Sequence, residues 1–249
     1  MTRRRILITG ASAGLGAAMA RDFAAKGRDL ALCARRLDAL TALRDELVAA
    51  HPGITVAVRA LDVDDHAAVP VVFGELRDEL GGLDRVIVNA GIGKGARIGS
   101  GRADANLATA TTNFVSALAQ AEAALEIFRA QRAGHLVLVA SMSAVRGLPG
   151  KKAAYSASKA GLAALGEALA TELARSPITV TTLLPGFIAT DMAAKAGDVR
   201  MVAPLDKGVA AMVAAIEHER RRACVPGWPW RLIDLALPHL PDALVARMS

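Results

Sequence analysis

Tyr155 is the only tyrosine in the chain, and Lys159 follows it by four residues. At helical spacing a phenol and an ammonium share one face, one turn apart. An isolated phenol titrates near ~10 and shuttles protons poorly at neutral pH. A neighbouring cation favours the phenolate and lowers that value. The pair can therefore act as a general acid/base. A buried tyrosine beside a solvated lysine would show the same spacing, so the motif takes its meaning from what surrounds it.

A second stretch with chemistry lies near the N-terminus. Arg5-Ile6-Leu7-Ile8-Thr9 reads as a short buried strand. It runs directly into Gly10-Ala11-Ser12-Ala13-Gly14-Leu15-Gly16 and an alanine-rich helix that stops at Gly27. Glycines let a backbone turn tightly against a pyrophosphate, and a helix N-terminus attracts the anion. The spacing is G-x-x-x-G-x-G rather than the commoner G-x-G-x-x-G. The next strand, Asp29 to Ala34, ends at Arg35-Arg36. A carboxylate there would bond a ribose and repel a 2′-phosphate, whereas arginine bonds the phosphate. The arginines favour NADP over NAD, against the alternative of an ordinary exposed pair.

Several elements must position these residues. The pattern predicts a helix over 37–50, a strand over 54–60, a helix from Asp64-Asp65 to Leu80 and a strand over 84–88 closed by Asn89-Ala90-Gly91. Asp62 would cap the second of these helices or touch an adenine. Residues 92–103, rich in glycine and basic groups, read as a loop beside the site. One long helix from Asp104 to Arg132 follows and contains Asn113. A strand over 135–140 leads to Ser141-Met142-Ser143, and the helix of Tyr155 and Lys159 ends by Pro177. Residues 178–184 read as strand six, Pro185-Gly186 as a turn, 207–218 as a helix, and the last thirty residues as a proline-punctuated apolar tail. About six or seven strands alternating with helices predict one α/β domain over 1–249, doubly wound, with a parallel sheet covered on both faces. Residues up to about 135 would form the cofactor half and the remainder the catalytic half. Gly10, Arg35, Asp62, Asn89, Ser141 and Pro185 all fall at carboxyl ends of strands, where such sheets bind ligands.

Composition narrows the function. Hydrophobic residues make 53% of the 249, enough for a sizeable core, and no apolar run approaches the ~18 residues of a membrane span. Two distant cysteines, Cys33 and Cys224, suit a reducing cytoplasm rather than a disulfide framework. The opening arginines and Ile6-Leu7-Ile8 loosely imitate a secretory signal, but polar and glycine residues interrupt the apolar run. The net charge of +6 is not matched by an aromatic platform or recognition motif, so nucleic acid is not an expected partner. Trp228 and Trp230 with flanking arginines allow membrane contact, although a docked tail or a subunit contact is the expected use.

Together, Thr9-Gly10-x-x-x-Gly14-x-Gly16, Asp62, Asn89-Ala90-Gly91, Asn113, Ser141, Tyr155-x-x-x-Lys159 and Pro185-Gly186-x-Ile188-x-Thr190 resemble the short-chain dehydrogenase/reductase family, over roughly positions 4–200. The resemblance implies a Rossmann-type oxidoreductase that moves a hydride between a nicotinamide cofactor and a carbonyl/alcohol pair. It implies that Tyr155 exchanges a proton with the substrate oxygen and that Ser141 orients that oxygen. Lys159 would bond the nicotinamide ribose and lower the phenol's pKa, and Asn113 would fix a water linking Lys159 to solvent. The Gly10–Gly16 loop, including Ser12 and Leu15, would hold the pyrophosphate. Arg35 and Arg36 would meet the 2′-phosphate, and Asp62 and Val63 the adenine. Asn89, Ala90 and Gly91 would line the adenosine side, and Pro185, Gly186, Ile188 and Thr190 the nicotinamide. No metal is implied. A homodimer or homotetramer is implied through the helices of Asn113 and Tyr155.

Two departures stand out. Val88 occupies a position where the family often has a second asparagine. The loop before Tyr155 looks one residue long, which leaves Ser143 as an alternative to Ser141. Met192, Met201, Val202, Leu205 and Trp228 suggest an apolar substrate pocket, with simple loop packing as the alternative. The competing function is an NADP-binding sensor or scaffold without turnover.

Overall fold

The computed structural model describes residues 3–190 and 201–246. The strands are β1 (Arg5–Thr9), β2 (Asp29–Ala34), β3 (Val56–Ala60), β4 (Arg85–Val88), β5 (Gly134–Val139), β6 (Ile178–Pro185) and β7 (Arg222–Val225). They form one sheet in the order β3-β2-β1-β4-β5-β6-β7, parallel at every pairing. Central strands of such a sheet are buried on both faces, which is why β1 and β2 are continuous apolar runs rather than alternating ones. Successive side chains still take opposite faces. Ile6 and Ile8 join Met19 and Phe23 of α1 (Gly14–Ala25), Leu40 and Leu47 of α2 (Leu37–Ala50), and Met212 and Ile216 of α7 (Leu205–Glu217). Leu7 joins Phe73 of α3 (Ala68–Leu80), Phe128 of α5 (Ser116–Gln131) and Leu162 of α6 (Ala153–Glu172). Each fully buried Phe, Leu or Ile contributes roughly 2 kcal/mol of apolar transfer.

The helix expected from Asp104 to Arg132 is instead three pieces. α4 spans Ala103–Ala110, a π turn spans Thr111–Val115, and α5 follows. Such π turns widen the spiral by one residue and are common at functional sites. Here the turn is pinned from both sides. Thr112 and Ser116 donate to the Asp64 carboxylate at 2.8 and 2.7 Å, while Asn113 faces the opposite way. Asp64 therefore does not start α3, which begins at Ala68 behind Asp65, whose carboxylate accepts from the Ala68 amide. Asp62 does not cap α3, whose N-cap position is Ala67. Asp62 instead closes a local turn onto the amide of Asp64.

The strand β7 lies inside the stretch read as tail. It is short and at the sheet's edge, and Arg222 at its start pairs with Asp234. The basic run and the following proline hid its pattern. Beyond it come α8 (Trp230–Ala236) and α9 (Asp242–Val245).

The amino ends of the strands carry a buried polar cluster. Arg85 is 1% exposed and pairs with Glu217 at 2.6 Å. Its Nε donates to His135 Nδ1, and His135 Nε2 donates to Thr181 Oγ1, both at 2.8 Å. Glu219 takes Arg3 and the Thr179 hydroxyl.

Candidate active site

Six strand ends, those of β1 to β6, carry predicted residues, and the π turn and α6 add Asn113 and the Tyr155–Lys159 pair. The first is the β1–α1 turn. Gly10 has φ +65°, and a Cβ there would lie 2.8 Å from Ala90 Cα. A Cβ on Gly16 would collide with the Gly10 carbonyl and stand 2.8 Å from Asn89 Nδ2. Only glycine fits either place. Thr9, buried at the end of β1, accepts the amides of Asn89 and Ala90 on one hydroxyl at 3.0 and 3.1 Å. Asn89 Nδ2 donates back to the Thr9 carbonyl at 2.9 Å. These bonds lock the ends of β1 and β4 together. Asn89 and Ala90 therefore hold the glycine turn from behind.

The helix α1 starts at Gly14 behind Ala13, with no side-chain cap and no acidic residue in its first turn. The first amides of a helix have no partner within the helix, and the helix dipole adds partial positive charge there. Among the described residues, the atom nearest a Cβ on Gly14 would be Thr190 Cγ2 at 3.9 Å. This uncapped end, narrowed by glycines, fits the pyrophosphate of a nicotinamide dinucleotide. Arg35 is exposed with no polar partner among the described residues, whereas Arg36 donates to the carbonyl and hydroxyl of Ser12 at 3.2 Å. The two arginines thus differ: one is free and one is tied to the glycine loop. Asp62 is exposed and Val63 buried, both beside the end of β2 through the Leu61 amide on the Ala34 carbonyl.

The second half of the site hangs from β5 and α6. Ser141 follows β5 and caps a short turn, its hydroxyl accepting from the Ser143 amide at 3.1 Å. The Tyr155 phenol lies beside the Ser141 side chain. Of the two candidate serines, Ser141 is the one at the phenol. One turn on, Lys159 is 5% exposed and its Nζ donates to the Val139 carbonyl at 2.8 Å. Burial pushes the Tyr155 phenol up from its ordinary value, and the Ser141 side chain pulls the other way. Burial brings Lys159 down to about 8. Lys159 thus turns its ammonium to a backbone carbonyl one turn from the phenol.

Asn113 lies fully buried in the π turn. Its Oδ1 accepts the Ile92 amide at 2.8 Å, and its Nδ2 donates to the Ile92 carbonyl at 2.9 Å and to Ser158 Oγ at 3.4 Å. Ser158 in turn donates to the Tyr155 carbonyl. A Cβ on Gly91 would stand 3.0 Å from Asn113 Oδ1 and 3.5 Å from Lys159 Nζ, so these three residues meet. The sequence alone marks Ser158 only as a helix-start or packing residue. Its place one turn from both partners was visible only once Asn113 was known to face α6.

The remaining predicted positions fall where β6 ends. Pro185 closes the strand and the Gly186 amide bonds the Val225 carbonyl. Ile188 is buried and bridges Ala203. A Cβ on Gly186 would collide with the indole of Trp230, which packs edge-on to Phe187 at 5.7 Å. Trp230, Ala140, Met142 and Leu184 form an apolar cluster directly beneath the site.

Among the described residues, those expected to line an apolar pocket do not lie together in one buried cluster. Trp228 is 76% exposed, Met201 and Val202 are also exposed, and Leu205 packs on the α1 side. Met192 lies outside the described residues. The buried tryptophan of the tail is Trp230, packed over Gly186, which removes it as a membrane-contacting tip. Among the described residues no helix is long and apolar enough to cross a membrane, and no cluster could hold a metal ion.

The short chain dehydrogenase family model matches residues 4–200. The chain is 57% identical over 249 residues to an uncharacterized oxidoreductase of Mycobacterium tuberculosis, covering all of this chain and 98% of that one. It is 39% identical over 194 residues to an uncharacterized oxidoreductase of Myxococcus xanthus, covering 78% and 76%. The crystal structure of levodione reductase superposes with a TM-score of 0.83 at 26% identity, covering 93% of this chain and 99% of that one. The chain belongs to the short-chain dehydrogenase/reductase family. It is an oxidoreductase of CH–OH groups that uses a nicotinamide dinucleotide.

Proposed function

We propose that the protein interconverts a carbonyl and an alcohol on a hydrophobic small molecule, with NADP preferred over NAD and Tyr155 as the proton-exchanging group. The observation that carries this is the Tyr155 phenol beside the Ser141 side chain, with Lys159 one turn away, at the same sheet edge as the glycine turn. The nicotinamide cofactor supplies or accepts the hydride when bound. In the reducing direction the neutral phenol donates its proton to the substrate oxygen as negative charge develops there. Ser141 offers a hydroxyl to the same oxygen and stabilises that charge. Lys159, cationic below about pH 8, stabilises the phenolate left behind. Asn113 and Ser158 hold Gly91 and the Tyr155 turn in register with it. The free Arg35 is the natural ligand of a 2′-phosphate, with Arg36 and Ser12 as its support.

Apolar residues beneath the site, including Phe187 and Val145, support a hydrophobic substrate. The buried Cys33 thiol, pushed up to about 12 by burial, is unreactive and consistent with a reducing cytoplasm. Exposed Val115 at the end of the π turn and Leu118 on α5, with exposed Ala157, Ala164 and Ala168 on α6, support a homodimer or homotetramer across these helices. The test of the assignment is Tyr155→Phe, assayed with NADPH and NADP on carbonyl and alcohol panels. Turnover should fall by roughly a thousandfold with cofactor affinity nearly unchanged; retained turnover would overturn it.

A further inference from the structure

The loop after β4 is not loose. Ile92 gives both backbone groups to Asn113, the Lys94 carbonyl accepts from the Thr109 hydroxyl, and the Ala96 amide donates to Asn106 Oδ1 at 3.0 Å. Thr109 gives up part of its bond to the Ala105 carbonyl of its own helix to do so. Residues 92, 94 and 96 repeat every second position, as in an extended strand. Asn106, Thr109 and Asn113 repeat at three and four, as on one helix face. The side chains of α4 and the π turn thus substitute for a neighbouring strand.

The far edge of this segment meets the approach to Tyr155. Gly95 lies against the Lys151 carbonyl so closely that any side chain would collide. The segment therefore runs from Gly91, beside Lys159, to the turn that leads into the Tyr155 helix. Lys94 and Arg97 on it, and Lys151 opposite, are exposed and have no polar partner among the described residues. By contrast Arg102 and Arg146, on either side, are paired to Asp104 and Asp242.

We infer that Asn106 and Thr109 are positioning residues that hold residues 92–97 as a fixed cationic rim, and that this rim selects substrates carrying an anionic group beside the carbonyl. An apolar floor and a basic rim together suit an oxo-carboxylate with a hydrocarbon body. Fixing the backbone matters because a charge on a free loop spends much of its attraction on ordering. This inference rests on the oxidoreductase reading above and narrows its substrate class.

The test uses matched pairs of oxo-carboxylates and their methyl esters, starting from benzoylformate and extended in chain length. Binding is measured calorimetrically on the full chain carrying Tyr155→Phe and loaded with nicotinamide cofactor, so that it does not depend on turnover. The acid should bind roughly tenfold tighter than its ester. Lys94→Gln with Arg97→Gln should abolish that ratio. Asn106→Ala should reduce it and speed hydrogen exchange at the Ala96 amide, an effect that loss of folding would spread across the whole protein instead. Esters that bind as well as acids throughout the series, or a ratio that survives loss of both cations, would overturn the inference. Acid-selective binding with no turnover of either compound by the unsubstituted enzyme would leave the rim intact and count against the proposed chemistry.

Discussion

Arg85 donates to His135 Nδ1 at 2.8 Å, so the imidazole must keep that nitrogen unprotonated. Its other nitrogen is committed to Thr181. Burial first, and the Arg85 charge second, push His135 down to about 3. An unfolded chain would protonate this histidine near ~6.5 while the folded one does not. The neutral ring's contribution is fully present above ~6.5 and is lost as pH falls toward 3. Between pH 6.5 and 5 the loss should reach about 2 kcal/mol. Urea midpoints at the two pH values should show it, and His135→Gln should flatten the dependence. A slope unchanged by the substitution would mean that other groups carry it.

The glycine turn makes a sharper demand on side-chain size. Gly16→Ala places a methyl against the Gly10 carbonyl and Asn89. The backbone must give way where the pyrophosphate is expected, so cofactor affinity should fall at least about tenfold, a change of ~1.4 kcal/mol. Fluorescence titration with NADPH reads this directly.

Arg35→Asp should invert cofactor choice more than Arg36→Ala, because Arg35 is free and Arg36 is already bonded to Ser12. The ratio of NADPH to NADH dissociation constants is the measurement. An unchanged ratio in Arg35→Asp would remove that residue as the phosphate ligand.

The two tryptophans separate cleanly. Trp230 is 5% exposed and fills the space over Gly186, so Trp230→Ala should cost roughly 3–5 kcal/mol and weaken substrate binding. Trp228, at 76% exposure, should change stability by no more than about 0.5 kcal/mol when replaced by alanine. Thermal melts of both variants distinguish them.

Much of this was legible because parallel strands buried on both faces cannot hide. Ile6-Leu7-Ile8 and Leu30 to Ala34 gave β1 and β2 to the residue. Tyr155, Ser141 and the glycine turn were visible because each carries an unusual side chain or its absence at a strand end. What sequence could not supply was direction. Nothing in Thr111–Val115 announces a π turn, since helix propensity does not distinguish spirals that differ by one residue per turn. The same ignorance of direction left open which tryptophan is buried: Trp230 packs over Gly186, whereas Trp228 is exposed. β7 escaped because four edge residues beginning with arginine carry too little pattern.

The place of Trp230 has a consequence for how the protein is made. The glycine turn and β1, β2 and β4 emerge from the ribosome early and can pair as soon as β4 is out. Gly186 must wait for an indole synthesised much later, and β7 arrives just before it to close the sheet's last edge. Until then the apolar ends of β5 and β6 stand uncovered. The nascent chain can thus assemble its nucleotide half well before its substrate half is sheltered, and aggregation during synthesis should track the interval between the two.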